Sequence, residues 1–228
     1  MKQVFTMKEG SEKKKVFIVD DHPIVRQGIA RLINYEDDLM VCGEAGNAKD
    51  GLKEIERIKP DMVIVDISLK GKSGLELIKD IKMRLQAMPV LVVSMHDESL
   101  YAERALRAGA KGYIMKHVSP DKVLNAIRQV LDGKLFVSEG MRERMLQKYV
   151  YGSTRKNVFS VEQLSDRELE VFRLIGHGRG TRQIAKDLDL SVKTVETYRE
   201  HIKDKLNLEN SSELLQYAIQ WIQSENTK

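Results

Sequence analysis

The sequence predicts a doubly wound α/β domain on a five-stranded parallel sheet, followed by a small all-α domain. Three observations carry this expectation. Short apolar runs alternate five times with helical-period segments across the first 133 residues. The run DMVIVD, Asp61 to Asp66, is apolar without alternation, which suits a strand covered by helices on both faces of a parallel sheet. From Leu164 onward every apolar position recurs at helical spacing.

The elements follow in order. Val16 to Asp21 (VFIVDD) reads as a strand ending in carboxylates, and His22-Pro23 opens a helix through Ile24, Val25, Ile29, Leu32 and Ile33. Met40 to Ala45 is a shorter, edge-like strand. Ala48 to Ile58 is an amphipathic helix, which Lys59-Pro60 stops. The central strand ends at Asp66. A glycine-punctuated loop, 67 to 74, leads to a helix through Leu75, Leu77, Ile78 and Ile81. Pro89 to Ser94 (PVLVVS) is the fourth strand. Glu98 to Ala108 is helical, with Gly109 as its stop. Gly112 to Lys116 is the fifth strand, and Ser119-Pro120-Asp121 caps a helix that runs to Asp132-Gly133.

Residues 134–160 break the alternation and read as a linker. Met141 to Tyr149 is a candidate helix, and Gly152 to Asn157 is polar and turn-rich. In the region 161–228, Ser165-Asp166-Arg167-Glu168 is a capping box opening a helix that ends at Gly176-His177-Gly178. Thr181 is expected to cap a short helix with Ile184, Ala185 and Leu188 inward. Asp189-Leu190 turns the chain, Ser191 caps a helix from Val192 to Leu206, and Ser211 or Ser212 starts the last helix.

Composition narrows the class. At 228 residues, two domains of ordinary size are expected. The net charge of +4 is compatible with nucleic acid without being diagnostic of it. One cysteine, Cys42, excludes an intramolecular disulfide and fits a reducing, cytoplasmic setting. No apolar run reaches the ~20 residues that span a bilayer, so no membrane partner is expected. Residues 1–14 have lysines without an apolar stretch after them and read as a disordered leader, with Met7 as an alternative start.

In a doubly wound sheet, chemistry gathers beyond the carboxyl ends of the strands. The strands end here at Asp20/Asp21, Asp66, Ser94 and Lys116. Clustered carboxylates repel, and a hard divalent cation such as Mg²⁺ relieves that repulsion. A carboxylate beside such a cation and a lysine is equipped to accept a phosphoryl group. Asp66 is then the nucleophile, Asp20 and Asp21 hold the metal, Lys116 balances charge, and the Ser94 hydroxyl donates to a phosphoryl oxygen.

This pattern over the first ~130 residues resembles the receiver domain of bacterial response regulators, a flavodoxin-like fold of ordinary domain size. The resemblance implies phosphotransfer from a sensor histidine kinase to Asp66. It also implies Mg²⁺ coordination by Asp20, Asp21, Asp66 and the backbone carbonyl of Ser68, and a switch in which Ser94 and Tyr113 reorient together. One departure is Lys70, where receivers usually carry proline four residues after the nucleophile; Gly74 is in place. His22 and His96 read as loop histidines, because one carboxylate pair and scattered imidazoles do not make a zinc site. Gly71-Lys72-Ser73 imitates the end of a P-loop, but that motif needs glycine where Asp66 stands.

In the second half, a short helix, a tight turn and a longer helix form a helix-turn-helix, whose second helix can enter the major groove. The string from Leu164 to about Ile222 resembles the DNA-binding domain of the NarL/LuxR type; the pattern IAxxLxLSxxTVxxxxxxIxxKL is satisfied throughout. Val195, Ile202 and Leu206 are expected in the core. Lys193, Thr194, Glu196, Thr197, Arg199, Glu200 and Lys203 lie on polar faces. Arg199, Lys203 and Arg182 suit phosphates, whereas Glu196, Thr197 and Glu200 sit where the family reaches base edges. The last helix carries apolar residues, Trp221 among them, beyond what one small domain is expected to bury, which points to a homodimer on double-stranded DNA.

The expected function is a phosphorylation-dependent, DNA-binding transcription regulator of a two-component system, not an enzyme on external substrates. Two other readings use the same residues. One is a DNA-binding regulator whose receiver answers to protein contacts without phosphorylation. The other is an aspartate-based phosphotransfer enzyme, against which stands Ser68 in the place of a second aspartate.

Overall fold

Val16–Val19 and Met62–Val65 are each at most 1% exposed, so the strands that contain them need cover on both faces. The computed structural model describes residues 12–151 and 159–225 and supplies that cover. Most of the leader and the polar stretch from Gly152 to Asn157 lie outside the described residues. The strands are β1 (Lys14–Val19), β2 (Leu39–Ala45), β3 (Met62–Val65), β4 (Val90–Ser94) and β5 (Gly112–Met115). They pair in parallel in the order β2-β1-β3-β4-β5. The chain leaves β1 toward one edge and returns through β3 toward the other. Their carboxyl ends therefore flank the switch point where such sheets place ligands.

Side chains alternate between the two faces. Val16, Ile18, Met62, Ile64, Leu91 and Val93 pack against α1 (Pro23–Asn34) and α5 (Pro120–Leu131). Phe17, Val19, Val63, Val65, Val90 and Val92 pack beneath α2 (Ala48–Ile58), α3 (Gly74–Arg84) and α4 (Glu98–Ala108). The expected first helix starts at Pro23 as the sequence indicates, but Ile24 is 86% exposed. Ser119 is the N-cap of α5 as expected, but without a side-chain capping hydrogen bond; its carbonyl accepts the N–H groups of Lys122 and Val123.

α6 (Glu139–Tyr151) lies in the expected linker and ion-pairs with α4 through Lys148 and Glu103, 2.7 Å apart. A 3-10 turn (Val161–Gln163) then leads to α7 (Asp166–Gly176), α8 (Thr181–Asp187), α9 (Val192–Leu206) and α10 (Ser211–Glu225). Ser165 and Glu168 form the expected capping box, and the buried Glu168 reaches Lys205 of α9 at 2.6 Å. Gly180, not Thr181, is the N-cap of α8. Val195, Ile202 and Leu206 are buried as expected.

α10 closes over α7 and uses its aromatic residues to do so. Phe172 is flanked by Tyr217 and Trp221, with ring centroids 5.9 and 5.6 Å away. Tyr217, Ile219 and Trp221 remain half-buried on the domain's surface, and Leu215 is 40% exposed.

Candidate functional site

The strand ladder fixes the acids. Asp20 N–H donates to the Ala45 carbonyl and Asp66 N–H to the Val19 carbonyl, so each residue continues its strand by one position. Asp20 and Asp66 are 2% exposed. Lys116, whose N–H donates to the Ser94 carbonyl, brings its Nζ 2.7 Å from Asp20 Oδ2 and 2.8 Å from Asp66 Oδ2. Burial pushes the ammonium's pKa down, but Asp66 and Asp20 outweigh burial and hold it above its ordinary value.

One ammonium does not balance three carboxylates. Burial, reinforced by Asp66 and Asp20 against the relief from His22, raises the Asp21 carboxyl above its ordinary range. Asp21 Oδ1 and Asp66 Oδ1 are buried without a hydrogen bond among the described residues. The His22 ring approaches Asp21 Oδ1 to 2.8 Å, an ion-pair distance without hydrogen-bond alignment. Asp20, Asp21, His22 and Asp66 offer oxygen and nitrogen atoms within 4.8 Å of one another. Two orphaned carboxylate oxygens at a site of excess negative charge fit a hard divalent cation.

The loop after Asp66 explains Gly74. A Cβ there would lie 2.0 Å from the Asp66 carbonyl oxygen, because the loop folds back until Gly74 N–H reaches the Ile67 carbonyl at 2.9 Å. Ser73 and Glu76 then form a capping box for α3 that the sequence reading did not single out. Without proline at Lys70 the loop still turns, with Gly71 at φ +76° in the left-handed region.

Ser94 and Tyr113 meet around His96. Tyr113 is fully buried, and its hydroxyl donates to the His96 carbonyl at 2.7 Å; His96 N–H donates to Ser94 Oγ at 3.3 Å. His96 lies in a loop, as expected, but its ring is engaged on three sides. Its Nε2 is 2.7 Å from Ser68 Oγ, its Nδ1 contacts the Arg173 guanidinium, and it stacks on Tyr101 at 4.6 Å. Burial, then the Arg173 and Lys116 charges, drives its pKa well below the usual histidine value. His96 follows Ser94 by two residues as Ser68 follows Asp66, both past strand ends at one sheet edge. That parallel was the signal available in the sequence.

The helical region docks on this edge through α7 and the end of α8. Asp166 ion-pairs with Lys79 of α3 at 2.7 Å and with Arg104 of α4 at 3.1 Å. Arg167 donates to the Gly71 carbonyl at 3.3 Å, and Gly71 N–H donates to the Asp187 carbonyl at 3.3 Å.

α9 stays open. Lys193, Glu196, Thr197 and Glu200 are exposed, as is Arg182 on α8, while Thr194, Arg199 and Lys203 are half-buried. Thr194 is engaged with its cap, Oγ1 lying 2.8 Å from Ser191 Oγ; Lys203 ion-pairs with Glu200 at 2.8 Å.

Comparison with known proteins agrees with this architecture. Residues 16–128 match the response regulator receiver domain, and residues 162–218 match the bacterial regulatory proteins of the luxR family. The oxygen regulatory protein NreC of Staphylococcus aureus is 35% identical over 209 residues, covering 90% of this chain and 96% of NreC. The response regulator RcsB of Salmonella typhimurium superposes with a TM-score of 0.69 at 27% identity, over 92% of this chain and 98% of RcsB. RcsB of Salmonella enterica serovar Typhimurium, bound to promoter rprA in the presence of phosphomimetic BeF3⁻, gives 0.64 at 27% identity, over 91% and 98%. The chain therefore belongs to the two-component response regulators that join a receiver domain to a LuxR-type helix-turn-helix domain.

Proposed function

We propose that a sensor histidine kinase phosphorylates Asp66 and that the modified chain regulates transcription by binding double-stranded DNA. On this reading residues 15–133 are the receiver, 134–160 the linker and 161–228 the DNA-binding domain, working as a homodimer in the cytoplasm. An Asp66 carboxylate oxygen attacks phosphorus in line, and the bond from phosphorus to the donor nitrogen breaks. Lys116 follows the charge from carboxylate to phosphoryl oxygen, Ser94 donates its hydroxyl, and Tyr113 moves with it. Asp20, Asp21, Asp66 and the Ser68 carbonyl would hold Mg²⁺, which when bound offsets negative charge at the transferring group. Arg182, Arg199 and Lys203 serve phosphates and Glu196, Thr197 and Glu200 face bases, with Lys193 and Thr194 on the polar faces of the DNA-binding helix α9.

The observation that carries the reading is the buried Lys116 ammonium between Asp20 and Asp66, beside an Asp66 oxygen that lacks a hydrogen bond among the described residues. An apolar core does not place three acids and a lysine together without use for them. RcsB on promoter DNA with a phosphomimetic supports the same reading. The test is DNA affinity by fluorescence anisotropy at fixed salt, with and without acetyl phosphate and Mg²⁺, on footprinted genomic sites. The phosphodonor should tighten binding by about 5-fold or more, and Asp66→Asn should not respond. An equal response from Asp66→Asn refutes the reading.

A further inference from the structure

Arg173 belongs to α7, in the helical domain, yet its guanidinium ends in the receiver. It donates to His96 Nδ1, lies 3.3 Å from the Tyr101 hydroxyl, and stands over the Tyr101 ring at 5.6 Å. A guanidinium has only donors, so His96 Nδ1 accepts and carries no proton. The proton of the neutral ring then sits on Nε2, which donates to Ser68 Oγ at 2.7 Å. A residue of one domain thus sets the tautomer and orientation of a histidine in the other.

The same histidine is held through its backbone by Ser94 and Tyr113. His96 therefore joins the residues around Asp66 to the docked domain. A second hold lies on the same loop, where Gly71 exchanges hydrogen bonds with Arg167 and Asp187. Between the domains lies a cavity of about 380 Å³, whose walls include Asp21, Ser68 and His96 on one side and Asp166, Glu170 and Arg173 on the other. A phosphodonor anion reaching Asp66 from this side has to pass a pinned Ser68, between α7 carboxylates already ion-paired, Asp166 with Lys79 and Arg104 and Glu170 with Arg167.

We propose that Arg173 is a positioning residue for phosphoryl acceptance: by orienting His96 onto Ser68 it keeps the β3–α3 loop closed, so the docked DNA-binding domain slows the loading of Asp66. The proposal rests on the reading of Asp66 as phosphoacceptor. To the extent that docking also disfavours phosphorylated Asp66 at equilibrium, the phosphoryl group loosens the docking by that same free energy; the loading rate itself carries no such symmetry. Arg173, from the output half of the chain, then sets how readily the input half is charged.

The test is the rate of phosphoryl incorporation from acetyl phosphate and Mg²⁺, followed by intact mass on the full chain. In this probe reaction an Asp66 oxygen bonds to phosphorus, the bond from phosphorus to the acetate oxygen breaks, and acetate departs as an anion. Arg173→Ala should load about 5-fold faster or more. Arg173→Lys, which still donates to Nδ1, should return toward the wild-type rate. In a His96→Ala background, which itself loads fast, Arg173→Ala should add nothing. Loading of Arg173→Ala at or below the wild-type rate overturns the proposal and leaves Asp66 as acceptor intact. So does an Arg173→Lys rate equal to that of Arg173→Ala. A wild-type chain that takes up no phosphoryl group removes the proposal together with the reading beneath it.

Discussion

Asp21 carries a cost that its neighbours impose. Its carboxyl is raised above an ordinary value near 3.8 by burial and by Asp66 and Asp20, so its charged form opposes folding at neutral pH. Asp21→Asn should therefore stabilise the metal-free protein at pH 7, read from urea unfolding with chelator present. The sign follows from the raised folded-state pKa. The penalty exists above that pKa and vanishes as pH falls through it, so the advantage of asparagine should shrink on acidification. With millimolar Mg²⁺ the order should reverse, because only the wild type gains from the cation. Asp20, Asp66, Ser94 and Lys116 were legible as a group because each ends an apolar run, and strand ends in one parallel sheet share an edge. The tie between His96 and Arg173 was not legible. Their partnership depends on how two domains meet, and no local period encodes that.

At the scale of elements, the capping boxes divide the same way. Ser165 and Glu168 announced α7 by spacing alone. What spacing did not show is that Glu168 is 4% exposed and also binds Lys205, tying α7 to α9. Glu168→Ala removes the cap's reciprocal bond and its ion pair with the partly exposed Lys205. It should destabilise the helical domain by about 1–2 kcal/mol, measured by denaturant unfolding followed by circular dichroism. Ser119 and Thr181 looked like caps from residue type, yet Ser119 uses only its carbonyl and Gly180 precedes Thr181 at the cap position. Residue preference names candidates; the path of the entering chain decides among them.

The β3–α3 loop is held by an approach rather than a sequence period. A Cβ at Gly74 would sit on the Asp66 carbonyl, and backbone cannot yield as a flexible side chain does. Gly74→Ala should lower receiver stability by about 1–3 kcal/mol and abolish phosphoryl incorporation, since moving the Asp66 backbone moves its carboxylate. Wild-type stability and loading in that variant would show that the loop has room.

Across the whole molecule, the receiver grips the helical domain by α7 and the end of α8, leaving the outer face of α9 exposed. If α9 is the DNA-contacting helix, as proposed, control of DNA binding need not work by covering its outer face. Arg199→Ala should weaken binding to all sequences alike and reduce the salt dependence of log affinity by about 1. A loss confined to one base position would make Arg199 a base reader. The five strands and the helical half were readable because hydrophobic period changes with architecture. Composition did not reveal that Trp221 packs against Phe172 within the domain.

The most direct measurement is the intact mass of the full chain after incubation with acetyl phosphate and Mg²⁺, with peptide mapping of any adduct. A single phosphoryl group, located on Asp66, lost with hydroxylamine as an acyl phosphate is, and missing from Asp66→Asn, is the predicted result. An unchanged mass, or an adduct that persists in Asp66→Asn, contradicts the account.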